Sequence, residues 1–374
     1  YKTFKNPQEL SNSKLIDLLK SGSGVARLAA QQELLTRPSD KVVKPVWALA
    51  TNAKLPLVVR IAAMYTYAQA AGVNANDNLA KLTADAAMRE YALRALADRK
   101  IYNSNVSSAT FIQALSDGSP RVRLAATVGL GRLGNADAAQ ALLKIPVPAS
   151  FAPPAMGTEG PHATPNSAII LPHVAVRSLV TLNAVDACVK AIGTENSTLA
   201  LWALRYMHDP KAVAGLINAY QKSNDAALKK QIIVTLSRLY KKEADYDGSW
   251  WWSTRPDTHG PYYKGITWEA STNIKDFLIE ESKKLNDKPF FVDLNSRHRM
   301  EIPEFGVEEV AAVKEEVKID LDKIRNKKGQ VGEASIEDVM LAMAKIQGDA
   351  ALGKTLFTQQ GCIACHSLSK SEPM

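Results

Sequence analysis

Two thiols and an imidazole stand close together near the carboxyl end of the sequence. Cys362, Cys365 and His366 lie in GDAALGKTLFTQQGCIACHSL, Gly348 to Leu368. C-x-x-C-H is the spacing that attaches a c-type haem. Two thiols at this separation reach the two vinyl groups on one edge of the macrocycle. The adjacent histidine then turns under the iron as its proximal ligand. A bare C-x-x-C pair could instead be redox-active or bind zinc. The histidine that follows, and the absence of a second C-x-x-C, argue against both. One haem c is therefore the expected cofactor, with Cys362 and Cys365 as its thioether anchors and His366 on the iron.

The flank supports this. Gly353-Lys354-x-Leu356-Phe357-x-x-x-Gly361-Cys362 resembles the N-terminal helix of class I cytochromes c. In that family the glycine and the aromatic residue pack this helix against the last helix of the domain. Eight residues follow His366, too few to enclose a haem and supply a sixth ligand. The expectation is a cytochrome start belonging to a longer polypeptide, in which haem need not be bound. Met374 lies too near His366 to reach the distal face, and Met300 reads as a packing residue.

A second cluster is aromatic. YDGSWWWSTRPDTHGPYYKGITW, Tyr246 to Trp268, holds four of the six tryptophans. Three consecutive tryptophans cannot share one helix face or one side of a strand. Indoles at Trp251 and Trp252, beside Arg255, Asp257, His259, Tyr262 and Tyr263, could hold a sugar ring, a quinone or a haem edge. The competing reading is an apolar cap on the preceding helices, which a repeat array needs at its end. Asp257 and His259 would share a strand face, but no nucleophile or orienting third group accompanies them. No catalytic site is identifiable, and an oxidoreductase activity would belong to a larger parent.

The remaining chemical side chains read as structural. Cys188 sits in an apolar helical run as a packing residue. His173 and His208 fall in or at the ends of helices, in core or capping roles. His162 and His298 read as solvated. No Walker loop, G-x-G-x-x-G after a strand, H-E-x-x-H or G-x-S-x-G is present.

The elements that must carry these groups are helical. Four stretches begin VARLAAQQELL (Val25 to Leu35), VRIAAMYTYA (Val59 to Ala68), MREYALRALA (Met88 to Ala97) and VRLAATVGLGRLG (Val122 to Gly134). Arg27, Arg60, Arg89 and Arg123 are equivalent points, spaced 33, 29 and 34 residues apart. Such a period with helical patterning means stacked repeats. In the fourth unit Val122, Ala125, Ala126, Leu130 and Leu133 form one stripe, and Pro120 suits a first helical position. Looser units run from Ile169 to Leu182, Ala187 to Met207 and Val213 to Leu239. The pattern resembles HEAT repeats over Ser11 to Glu243.

The expected class is all-α: a HEAT-like solenoid over 1–245, broken by a Pro-rich surface excursion at 146–167. An aromatic-rich irregular segment and helix follow at 246–305, capping the solenoid. A charged helix and linker occupy 306–334, and an incomplete cytochrome c start 335–374, opening with Ser335 as an N-cap. The chain has 374 residues, 46% of them hydrophobic, and no apolar run long enough to span a membrane. Its formal charge of +8 is spread rather than clustered, which argues against a nucleic-acid partner.

The combination is similar to large haem-binding C-x-x-C-H proteins of planctomycetes, verrucomicrobia and Bacteroidetes. In these, a propeller-like dehydrogenase domain often precedes HEAT repeats and a cytochrome ends the chain. The matching residues are Leu201 to Tyr206, Trp251 to Tyr263 and Cys362 to His366. The resemblance implies an extracytoplasmic place, periplasm or cell surface. It also implies electron transfer from a sugar or alcohol, and a redox partner or dehydrogenase domain. The alternative is an interaction scaffold that binds a protein or carbohydrate partner.

Overall fold

The computed structural model describes residues 6–148, 167–245, 264–306, 331–345, 347–360 and 362. The chain divides into two compact units, 1–151 with 166–239, and 152–165 with 240–374.

Among the described residues, the first unit is an all-α solenoid of seven helical hairpins. The first helices are α1 (Asn12–Leu18), α3 (Ser39–Thr51), α5 (Asn76–Leu82), α7 (Ser108–Ala114), α9 (Ala138–Leu143), α11 (Val185–Ala191) and α13 (Pro210–Lys222). Their partners are α2 (Gly24–Leu34), α4 (Leu57–Ala71), α6 (Arg89–Asp98), α8 (Pro120–Leu133), α10 (Ile170–Thr181), α12 (Ser197–Leu204) and α14 (Ala226–Leu239). Each helix packs on its hairpin partner, and the second helices stack in chain order from α2 to α14. This is the two-layer, nearest-neighbour arrangement of a repeat protein. The four second helices expected from the sequence are α2, α4, α6 and α8. The Pro-rich insertion falls inside the α9–α10 hairpin, and its residues 149–166 lie outside the described set.

Local chemistry sets the hairpin ends. Ser119 precedes α8 and Pro120 occupies its first turn, where a missing N–H costs nothing. Gly134 ends the same helix at φ 76°, a left-handed conformation glycine adopts without steric cost. The buried stripe of α8 is Val122, Ala125, Ala126 and Leu130. Gly131 on the same helix lets α10 approach closely, since a Cβ there would meet Ser178.

Three of the four equivalent arginines bind the turn before their own helix, and the fourth, Arg60, binds the last turn of the preceding helix. The Arg27 guanidinium donates to the Ser21 carbonyl at 2.7 Å, Arg89 to Thr83 at 2.7 Å and Arg123 to Asp117 at 2.7 Å. Arg60 is buried and donates to the Ala50 carbonyl at 2.9 Å. Two of them also reach the turn of the next hairpin. Arg60 pairs with Asp85 and Arg89 with Asp117, each at 2.5 Å. These bonds give unsatisfied turn carbonyls a charged donor and fix the stacking register.

The ladder has a pH signature. The bond from Arg60 holds the Asp85 carboxyl below the usual range. The Ser119 backbone N–H, and then Arg89, do the same for Asp117. Both groups are depressed in the folded state. They therefore add stability above the unfolded value near ~3.9, and it is lost as pH falls through the lower folded value. Urea unfolding should show a D85N/D117N variant weaker than the parent at pH 7. The gap should narrow below about pH 4. A gap that widens in acid would contradict the assignment.

The second unit has a small core of its own. A two-stranded antiparallel ribbon joins β1 (Lys242–Glu243) to β2 (Gly265–Ile266), with Lys242 opposite Ile266 and Glu243 opposite Gly265. Helices α15 (Ser271–Leu285) and α16 (Lys288–Arg297) and a 3-10 turn at Pro303–Phe305 follow. Phe291 and Phe305 are buried with ring centroids 5.2 Å apart. Buried Asn295 ties this turn down, accepting from Ile302 N at 3.0 Å and donating to the Ile302 and Gly306 carbonyls. The charged helix expected over 307–324 lies outside the described residues. Beyond it come α17 (Ile336–Met343) and α18 (Ala350–Gln359).

Candidate functional site

Helix α18 leads into Cys362, the first thiol of the C-x-x-C-H pentad. Asp349 caps it, accepting from Ala351 N at 2.9 Å and Leu352 N at 3.0 Å. A carboxylate at this end also complements the helix dipole. The helix stops at Gln359, and Cys362 follows as an exposed free thiol. Leu352 and Leu356, four residues apart, share one exposed face. Phe357 beside them is half-buried, and a Cβ at Gly353 would meet nothing within 4 Å. Among the described residues from 332 to 362 none is buried. Cys365 and His366 lie outside the described residues.

The preceding helix repeats this character. Ser335 caps α17 through Asp338 N at 3.1 Å, as its sequence position suggests. Ile336, Met340 and Met343 stand on one face and are more than half exposed.

The aromatic segment is described only at its base. Trp251, Trp252, Arg255, Asp257, His259, Tyr262 and Tyr263 lie outside the described residues. Its two flanks are joined by the β1–β2 ribbon, extended by Ala244 N donating to the Lys264 carbonyl at 2.9 Å. Ser271 locks this stem, donating to the Tyr240 carbonyl at 2.6 Å and accepting from Trp268 N at 2.8 Å. Strands of two residues carry no alternation, so periodicity could not reveal them.

The other chemical side chains divide. Cys188 is fully buried, and desolvation pushes its thiol to about 12, so it stays protonated and unreactive at neutral pH. Met300 is a core residue at 1% exposure. His173 departs from the expected core or capping role. It is exposed on α10, with its ring 5.9 Å from that of Trp202. His298 departs from the expected solvated role. It caps the C-terminus of α16, with Nε2 withdrawn from solvent. His208 is half-buried just before the Asp209 cap of α13, and His162 lies outside the described residues.

The sequence did not disclose a surface groove between α2 and α4. Arg27, Leu28, Gln31, Val58, Ile61 and Tyr65 line a cavity of about 440 Å³ whose lining has no acidic side chain. Leu28 and Val58 are about half exposed there. Burial pushes the Tyr65 hydroxyl to about 12, with Asp98 adding to the shift.

Residues 75–145 match the family model for HEAT repeats. They run from the end of the α4–α5 connection through α9, the section that holds the Arg89–Asp117 link. With the helix pairing on either side, the first unit is a HEAT-type α-solenoid. No curated protein matches the chain. Among the described residues, no helix is long and apolar enough to cross a membrane.

Proposed function

We propose that this chain is the HEAT-repeat carrier of a c-type haem that acts extracytoplasmically in electron transfer. The observation that carries this reading is the C-x-x-C-H pentad placed just after a capped amphipathic helix. Cys362 and Cys365 would hold the haem by thioether links and His366 by its imidazole. Bound there, a haem supplies one-electron chemistry at a potential set by its axial ligands and surroundings. The residues present fit it. The described thiol is free and exposed, and Leu352 and Leu356 offer apolar surface on the helix that leads to it. The solenoid then serves as a frame that holds the carrier near a donor. By the resemblance, that donor is a dehydrogenase acting on a sugar or alcohol. Co-expression with a haem-attachment system and export to a periplasm tests the reading. A denaturing gel should then show a haem-stained band at the chain's mass. A colourless band would reject it.

A second reading concerns the aromatic segment. The ribbon and the Ser271 lock hold the two flanks of this segment together. As a contact for a carbohydrate or protein partner, it predicts that Trp251→Ala weakens retention on immobilised polysaccharide about tenfold, the loss of one stacked ring at ~1.5 kcal/mol. Unchanged retention would remove the site.

A further inference from the structure

The exposed apolar surface of the described residues concentrates at a few places, and two of them are complementary. One is the α2–α4 groove, where Leu28, Val58, Ile61 and Tyr65 line the surface together with Arg27, Gln31 and Gln69. The other is α17, whose Ile336, Met340 and Met343 are 79%, 62% and 67% exposed. These three stand at i, i+4 and i+7, the anchor spacing of a helix that lies in a groove. Methionine suits such a role because its unbranched side chain adapts to an irregular surface.

Charge points the same way. Residues 1–151 and 166–239 carry 27 lysines and arginines against 14 aspartates and glutamates. Over 152–165 and 240–374 the balance reverses, with 19 basic against 24 acidic residues. The +8 of the whole chain thus hides a strongly basic solenoid and an acidic remainder. The acidic side is also local to the helix. Glu333, Glu337 and Asp338 surround the start of α17, and the first basic residue after them is Lys345. The groove lining has Arg27 and no carboxylate.

We infer that α17 of one copy of the chain seats in the α2–α4 groove of a second copy, forming a homodimer. Apolar anchors enter the cavity, and the acidic first turn faces the basic solenoid, steering the encounter. Neither Val58 nor Met340 holds its own fold together, since each is at least half exposed. The inference does not depend on haem, because none of the residues it uses is a thioether anchor or an iron ligand of the proposed function.

Sedimentation of the full chain without haem tests it. The parent should approach twice the 40.6 kDa chain mass as its concentration is raised, and the association should weaken as salt is raised. Val58→Asp and Met340→Asp should each leave a monomer with unchanged helical circular dichroism. Mixing the two variants should restore association, because the first keeps an intact α17 and the second an intact groove. A monomeric parent at the highest concentration would overturn the inference, and so would closure of α17 onto its own chain, which also gives a monomer. A dimer that survives both substitutions, or a mixture that stays monomeric, would overturn it equally. A colourless chain that still dimerises this way would sink the haem reading alone.

Discussion

Gly129→Leu is expected to lower the melting temperature of the solenoid by about 6–12 °C. The cause lies where α7 meets α8. A Cβ built on Gly129 would fall inside van der Waals contact of the Phe111 ring, which is fully buried. The absent side chain is what lets α7 lie close against α8. A larger residue must displace the ring or separate the helices. Overpacking of this kind costs about 3 kcal/mol, and each kcal/mol shifts the melting temperature by ~2–4 °C at this size. The helix propensity gained on leaving glycine returns at most about 1 kcal/mol, so packing decides the sign. Gly118→Ala is the control, because a Cβ there meets nothing within 4 Å. A double-mutant cycle isolates the contact. Phe111→Ala alone should cost about 3–5 kcal/mol through the cavity it leaves. Combined with Gly129→Leu, part of that cavity is refilled, so the pair should be more stable than the sum by over ~1 kcal/mol. Strict additivity would show that the two residues do not meet.

The same helix shows why the solenoid was legible in the sequence. The equivalence of Arg27, Arg60, Arg89 and Arg123 follows from a spacing the backbone imposes, since each donates to a carbonyl in the turn or the last helical turn before its own helix. Pro120 and Gly134 mark the ends of α8 by backbone rules alone. Long-range partners were not legible. Nothing near Asp85 in sequence names Arg60, and the groove needs α2 and α4 side by side before it exists. His173 misleads because its position in an apolar run suggests a core, while helix rotation turns it outward against Trp202. His298 misleads in the opposite sense, because its charged neighbours suggest solvent while Nε2 lies away from it. Helix α16 lies in a Pro-, Asn- and charge-rich stretch, yet Asp287 caps it and Pro289 stands in its first turn. Of the proposed haem site, the sequence shows the spacing of Cys362, Cys365 and His366, which is the one that thioether attachment would require. The faces of α17 and α18 become meaningful only once they are seen exposed.

Replacing both thiols should abolish the covalent pigment, the largest effect expected anywhere in the chain. In Cys362→Ala/Cys365→Ala no sulfur remains to anchor the macrocycle, so the haem-stained band of a denaturing gel should fall to background. Single variants separate the two anchors. Each should retain some pigment through one thioether, with the reduced absorption band shifted because one vinyl group stays unsaturated. His366→Ala makes a different prediction, because under the proposed function the imidazole would be an iron donor and not an anchor. It should keep the stained band while its ferric and ferrous spectra change, and added imidazole should restore much of the parent spectrum. Cys188→Ala should change nothing in these spectra, since that thiol is buried and protonated. The pattern separates ligation from folding. A merely structural C-x-x-C would lose stability in the double variant without any pigment to lose. A zinc-binding or redox-active pair would leave Cys362→Ala/Cys365→Ala and parent equally colourless. Only a haem carrier gives pigment that depends on the two sulfurs for attachment and on the imidazole for its colour.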